Sequence, residues 1–445
     1  MPIIDRGLPL NKLRKERNRS SKVLVFAIIL IAVLILGAIP GLIGHMSNTK
    51  PLSPETPVRV PARIAYITHS PISIIGNGGF TNASGVVWGS GTESDPYIIE
   101  GWDINASTAN GIDIRNTDAH FAIRNCRVHD GGLNPDGFHG VRLEDCANGT
   151  LDGNNCSLDN YGIFIKSSRN ITITDNSCGP NNFFGISLWS SSVITIHNNN
   201  LNSNTACGMS LAFSDNTTVS TNNCSSNSQD GIDIVASRNN ILANNNCSFN
   251  IGDGIYCYAG SGNNTLSDNT CSYNSRGMDL QYWSTNNTVS SNNCSHNEDG
   301  IRLLASSNNN TISDNIFSRN TRYGLYVLAN CSNNRIWNNT FSYNNGSGDS
   351  YDSAHVQAYD DGGSNRWNST DGDGNYWSDW TSPDSDANGV VDSPYVLDGT
   401  SGAKDYYPLT TPQAPIPEFG MVPFVVMVLL AAIFLITGAR RRKEH

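Results

Sequence analysis

Charge is scarce in this chain of 445 residues, and positive charge is the scarcer kind: 15% of residues are charged, 28 Lys and Arg against 39 Asp and Glu. Seven basic side chains precede residue 23 and four follow residue 417, with two acidic ones in each place, which leaves 17 basic and 35 acidic residues between. A surface with that excess repels phosphate backbones and argues against a nucleic-acid partner. Met and His number six and nine, with no Met- or His-rich string of the kind that handles soft metals. Long apolar runs are missing too, except at residues 23–43 and 421–439.

Each of those runs is long enough for about 30 Å of helix, one bilayer crossing. Arg6, Lys12, Arg14, Lys15, Arg17, Arg19 and Lys22 flank the first, and Arg440, Arg441, Arg442 and Lys443 the second. Basic clusters on both outer flanks place both termini in the cytosol and residues 44–417 outside, in a cell-membrane protein whose bulk is extracellular. The first run exceeds an ordinary signal-peptide core and lacks a clear A-x-A site, so it reads as a signal anchor, with a cleaved signal peptide as the alternative. Pro417-Glu418-Phe419-Gly420, the second run and the basic tail together resemble the PEF-type C-terminal sorting signals of archaeal surface proteins. That resemblance implies removal of the tail by a sortase-like processing enzyme; a plain membrane helix is the alternative. Sixteen Asn-X-Ser/Thr sequons, from Asn82 to Asn368, make the outer part a candidate glycoprotein.

A glycine followed by alternating apolar residues returns at Gly111, Gly140, Gly162, Gly185, Gly208, Gly231, Gly254, Gly277, Gly300 and Gly324, with six consecutive steps of 23 residues. A second short apolar strand, such as Ile171-Thr172-Ile173, lies inside each period, and Asn, Ser, Asp and Gly turns leave no room for a ten-residue helix. The fold class is therefore all-β, a right-handed parallel β-helix of about 23 residues per coil. One Asn falls in each coil from Asn154 to Asn339, and two residues later stands Cys, Leu or Phe (Cys156, Leu201, Cys271, Phe341). The Asn file suits a hydrogen-bonded amide ladder and the second file an apolar interior stack. Most of the 11 cysteines are accordingly expected as free buried thiols, since side chains stacked in register point the same way.

The expected organisation is a cytosolic basic segment (1–22), transmembrane anchor (23–43), linker (44–62), N-terminal cap (63–96), β-helix (97–362), acidic Trp-rich cap (363–411), Pro-rich stalk (412–420), second span or sorting signal (421–439) and basic tail (440–445). In the cap, Asp384, Asp386, Asn388 and Asp392 fall at positions 1, 3, 5 and 9 of a calcium-loop pattern with Gly389 at position 6. Tyr395 replaces the bidentate Glu at position 12, so the alternative is an acidic turn without metal.

Asp95-Pro-Tyr-Ile-Ile-Glu-Gly-Trp-Asp103, the stretch from Ile114 to Asp130, the coil repeats and Gly374-Asn-Tyr-Trp-Ser-Asp-Trp380 resemble archaeal NosD-type proteins, across roughly 63–411. The resemblance implies the β-helix domain also described as carbohydrate-binding and sugar-hydrolase; for bacterial NosD proteins it implies copper-site maturation of nitrous oxide reductase. His120, His129, His139 and Cys126 are the residues a copper role would use, and the shortage of Met and His argues against it.

On the glycine strand, residues two and four after the Gly point outward. This file supplies Phe164, Lys166, Trp189, Asp233, Tyr256, Tyr258, Asp279, Arg302 and Tyr326. Rings that stack on sugar faces, interleaved with groups that bond hydroxyls, suit an extended polysaccharide or envelope glycan; a solvated sheet face with cross-coil packing is the alternative. Asp233 and Asp279 stand two coils apart, about 9.6 Å, and are the candidate pair for a polysaccharide hydrolase or lyase. Asp230, Asp253 and Asp299 precede their glycines, and Asn116-Thr117-Asp118 matches one polygalacturonase-type motif without its companions.

Overall fold

A computed structural model describes residues 66–132 and 137–412. They form a right-handed parallel β-helix of about 11 turns. The strands after the repeating glycines make one sheet, from Ile72–Ile75 and Ile112–Thr117 through Ile232–Val235 and Ile255–Tyr258 to Ala358–Asp360. A second sheet runs from Tyr97–Glu100 to Arg335–Trp337. The third begins at Ile67–His69, thins to single bridges at Ser177, Asn200, Asn223 and Asn246, and widens again at Ile316–Ser318 and Thr340–Ser342. Register advances one coil per rung, so Asp233 lies beside Tyr256 and Tyr256 beside Asp279.

The alternation of each short strand sets what is inside. Ile232, Ile234, Ile255 and Cys257 of the glycine sheet, Leu242 and Leu266 of the second, and Cys224, Cys247, Cys271 and Cys294 of the third are all fully buried. All eleven cysteines are free and buried, and ten join the continuous core; Cys207 alone lies outside it. The glycine is required by close approach between coils. A Cβ at Gly254 would stand 2.5 Å from the Gly277 carbonyl and 2.8 Å from the Cys271 Cβ.

Amide ladders hold the corners, and there are more of them than the Asn154-to-Asn339 file. In that file the Asn222 backbone N–H and Nδ2 both donate to Asn245 Oδ1 at 3.0 Å, and Nδ2 also donates to the Ile196 carbonyl at 3.1 Å. A second ladder runs through Asn204, Asn227, Asn250 and Asn274. A third runs through Asn240, Asn264, Asn287 and Asn310 beside a row of serines, Ser168, Ser191, Ser214 and Ser237.

The expected caps prove to be partly solenoid. Ile67–His69 and Ile72–Ile75 already pair in parallel with Trp102–Asn105 and Ile112–Thr117, so coils begin within 63–96. At the other end, Tyr376–Trp377 adds a rung to Thr340–Phe341, and the Trp377 ring stacks on Phe341 at 4.2 Å. Among the described residues no helix is long and apolar enough to cross a membrane. The runs 23–43 and 421–439, the motif at 417–420, the basic ends and the linker 44–62 lie outside the described residues.

Replacing Asn245 by Ala strands the two Asn222 donors in the interior. A buried group without its partner costs about 1–3 kcal/mol, so Asn245→Ala is expected to lower stability by about 2–4 kcal/mol in urea unfolding. A loss below about 0.5 kcal/mol, the range of an ordinary surface substitution, would show that the ladder is ornamental.

Candidate functional site

The outward face of the glycine sheet carries three files: the residue before each glycine and those two and four after it. Along the axis they divide into unlike regions. At the N-terminal end Asp113 is paired by Arg115 and Arg142, and Glu144 by Arg142 and by Lys166 at 2.8 Å. Burial alone would raise the Asp113 carboxyl, but Arg115 and Asn110 hold it below its ordinary value; Lys166 does the same for Glu144. Above this network rings gather: Phe164 lies 5.0 Å from His139 and 5.4 Å from Tyr161, and Trp189, 46% exposed, meets Phe213 edge-on at 5.2 Å.

The middle is floored by small side chains, Ser187, Ser210 and Ala212, with Cys207 alongside. Beyond it stands a charged cluster. Asp279 is fully buried and forked by Arg302, Nε to Oδ1 at 3.1 Å and Nη2 to Oδ2 at 2.5 Å, with Gln281 Nε2 also donating to Oδ2 at 2.5 Å. Arg276, in the file before the glycines, reaches Asp253 at 3.3 Å, Asp279 at 3.8 Å and Asp299 at 4.0 Å. Arg322 grips Asp299 and lies over the Tyr326 ring at 4.5 Å. Tyr323 and Tyr359 pack on Tyr326 at 5.3 and 5.0 Å, and Tyr258 sits 5.6 Å from Tyr256.

Asp233 is the exception in this cluster. Its Oδ2 has a single long bond from Ser210 Oγ at 3.5 Å, and its buried Oδ1 has no partner among the described residues. Burial, then the neighbouring Asp230 carboxylate, pushes Asp233 up to about 7. Burial and Asp279 push Asp253 to about 7 against the pull of Arg276. Burial raises the Tyr256 phenol as well, with Asp279 and Asp233 adding to it. A half-protonated carboxyl beside a phenol on the next rung is equipped to exchange a proton with a bound molecule. Asp279 is clamped by Arg302 and Gln281 while Asp233 is not, which separates the two carboxyls that share one file.

The other sequence-derived groups fall elsewhere. Cys126 is fully buried with its thiol pushed up to about 11 by burial, and its Sγ faces the Arg124 carbonyl. His129 bonds Asp103 at 3.2 Å and Asp130 at 2.7 Å, and His139 belongs to the aromatic patch; among the described residues His120, His129, His139 and Cys126 do not gather into one metal-ligand group. Asn116, Thr117 and Asp118 line a separate open depression of about 650 Å³ with Asn77 and Arg169; Asn77 bonds both Thr117 and Asp118. Asp384, Asp386 and Asp392 do converge, their carboxylate oxygens lying within 4.8 Å of one another, and Asn388 donates to both Asp384 and Asp386.

Sequence reasoning placed the outward file but missed Arg276, Arg322, Tyr323 and Tyr359. The signal was available for the first: the residue before the glycine reads Asp230, Asp253, Arg276, Asp299 in successive coils.

A family model described as right handed beta helix region matches the chain twice, over residues 139–293 and 214–360. The A-module of the mannuronan C-5 epimerase AlgE6 of Azotobacter vinelandii superposes with a TM-score of 0.50 at 15% identity, over 67% of this chain and 88% of that one. The periplasmic alginate epimerase AlgG gives 0.40 at 17% identity over 60% and 76%, and the Dettilon tailspike protein 0.40 at 14% over 67% and 63%. At these identities the likeness is one of fold. No curated protein matches the chain.

Folding raises Asp233 from an ordinary 3.8 to about 7. The folded state therefore keeps a proton that the unfolded chain releases, and stability falls as pH rises from about 4 to about 7. The always-neutral Asp233→Asn is expected to melt a few degrees above wild type at pH 8, with the gap closing toward pH 4. A gap that does not change with pH would mean that Asp233 is ionised throughout.

Proposed function

We propose that this solenoid binds an extended polysaccharide, free or in a cell envelope, along the outward face of its glycine sheet. The observation that carries the reading is a set of exposed rings on and beside that face: Trp189 on its strand, and Phe213, Tyr282 and Trp283 in the turns that follow its strands, are each more than 40% exposed, Phe213 against Trp189 and Tyr282 against Tyr258. Flat rings and rigid polar groups on one straight sheet suit a repeating ligand of sugar rings, and a β-helix of this kind is the fold of a mannuronan C-5 epimerase module. In this reading the terminal apolar runs hold the solenoid outside the cell, with PEF-type processing of the C-terminus as the refinement. The NosD likeness enters as kinship of its carbohydrate-binding domain, with copper maturation as the remaining alternative.

A second reading has its own observation, the unpartnered Asp233 oxygen beside Tyr256. Here the same face also cleaves the glycan, with Asp233 as the proton-exchanging group, Tyr256 against the reacting sugar and Arg276 and Arg302 holding the surrounding charge. The full chain, incubated with neutral and uronic polysaccharides, is expected to bind at least one saturably. Release of new chain ends that disappears in Asp233→Asn assigns the enzyme reading. Saturable binding without new ends assigns the binding reading, and absence of both refutes the proposal.

Calcium is the ion proposed for the loop 384–392. Oxygens within 4.8 Å of one another suit a cation bound at 2.3–2.6 Å, and Gly389, at φ +89, makes the tight turn while donating its N–H to Asp384. Its role is to brace the C-terminal cap. Millimolar calcium is expected to raise the melting temperature of a chelator-treated sample by a few degrees, and Asp384→Asn with Asp392→Asn to abolish the rise; identical melts with and without calcium refute it.

A further inference from the structure

The ionic and aromatic end of the glycine sheet contains a shallow depression of about 600 Å³ lined by Asn110, His139, Arg142, Phe164, Lys166 and Trp189. We propose that it is a subsite for an acidic sugar, one bearing a carboxylate or sulfate, and that it fixes which end of a glycan lies at this end of the solenoid. The inference rests on the polysaccharide reading of the face.

Charge is the first support. In a region where acidic residues outnumber basic ones by 35 to 17, Arg115, Arg142 and Lys166 come together from three successive coils against only Asp113 and Glu144. Arg142 is shared between both acids, and Lys166 touches Glu144 alone while keeping 42% of its side chain exposed. One positive charge is thus in excess, and the acids beneath the cations hold them in place. An incoming anion meets a pre-positioned ammonium and guanidinium instead of flexible surface chains.

The remaining lining suits the body of a sugar. Phe164 and Trp189 offer rings on adjacent rungs. The His139 imidazole is held down at about 4 by burial and by Arg142, so it is neutral at physiological pH, and its Nδ1 has no partner among the described residues. A buried ring nitrogen left unpaired is costly unless a ligand hydroxyl or water meets it. The Asp233 rung lies three coils farther on, about 14 Å along the axis at strand spacing. The excess there is acidic, so an anion is welcome at one end of the face and repelled at the other.

The test uses the full chain, with polygalacturonate and its carboxyl-reduced neutral form as probes in calorimetry. Wild type is expected to bind the acidic polymer about tenfold more tightly, equivalent to roughly 1.4 kcal/mol. In Lys166→Gln the difference should shrink to about threefold or less, with an unchanged melting temperature as the control for folding. Equal affinities in wild type, or a tenfold difference that survives in Lys166→Gln, overturn the acidic subsite while leaving glycan binding in place. Failure to bind either polymer, or any neutral one, overturns the glycan reading itself and this inference with it.

Discussion

The amide ladder is the interaction on which the rest of this molecule depends. Each rung uses one Asn as a polar connector: its Oδ1 accepts from the coil before, while its own N–H and Nδ2 donate to the coil after. The ladder therefore has a direction, and its C-terminal end presents donors with no further Asn to receive them. Each of the three ladders ends on a buried carboxylate. The first passes from Asn339 to Asn375 and then to Asp405, which also accepts from Trp377 Nε1. The second passes from Asn344 to Gln357 and then Asp379. The third passes from Asn334 to Asn365 and then Asp360, which accepts from Trp367 Nε1. A carboxylate is an acceptor without a donor of its own, so it closes a donor-terminated chain where another amide would only extend it. Asp379 and Asp405, with Trp367 and Trp377, are the part of the acidic, Trp-rich segment 363–411 that serves this need.

That division of labour frees the outer face. Interior stacking and corner amides account for the fold, and neither uses the outward side chains of the glycine strands. Those positions vary from coil to coil, Phe164, Ser187, Ser210, Asp233, Tyr256, Asp279, Arg302, while the inward ones stay Ile, Leu, Met or Cys. The outward sequence is thus a lengthwise arrangement of chemistry on a fixed 23-residue ruler, and a ligand with its own repeat can be matched to it point by point.

Legibility followed the same boundary. The period, the handed parallel fold, the buried stack of Cys, Leu and Phe and one Asn ladder are plain because each repeats nine or ten times, and repetition turns a weak local preference into a strong pattern. The ladders through Asn227 and Asn264 were equally periodic but were hidden in a chain so rich in Asn that turn residues look alike. Coils at Ile67–Ile75 and Tyr376–Trp377 were mistaken for caps because the glycine signal fades there, and only pairing across long insertions reveals them. In the candidate site the sequence supplied identities but not partnerships. Asp233 and Asp279 are equivalent by position; Arg302 and Arg276 make them opposite in character, and that depends on which long side chain reaches which rung.

The same contrast explains why charge is distributed unevenly along the face. Coils stack about 4.8 Å apart, so like charges in one file repel strongly unless a cation intervenes. Near Asp279 the chain answers with Arg276, Arg302 and Arg322, each crossing to acids in neighbouring coils. At Asp233 no cation among the described residues is in reach, and burial with the neighbouring Asp230 pushes its carboxyl up to about 7. Three Arg placed within three coils show that the fold has the means to neutralise this face. Asp233 is left without one, with an unpaired oxygen and a phenol on the next rung, and a buried carboxyl in that state costs stability that packing alone does not require.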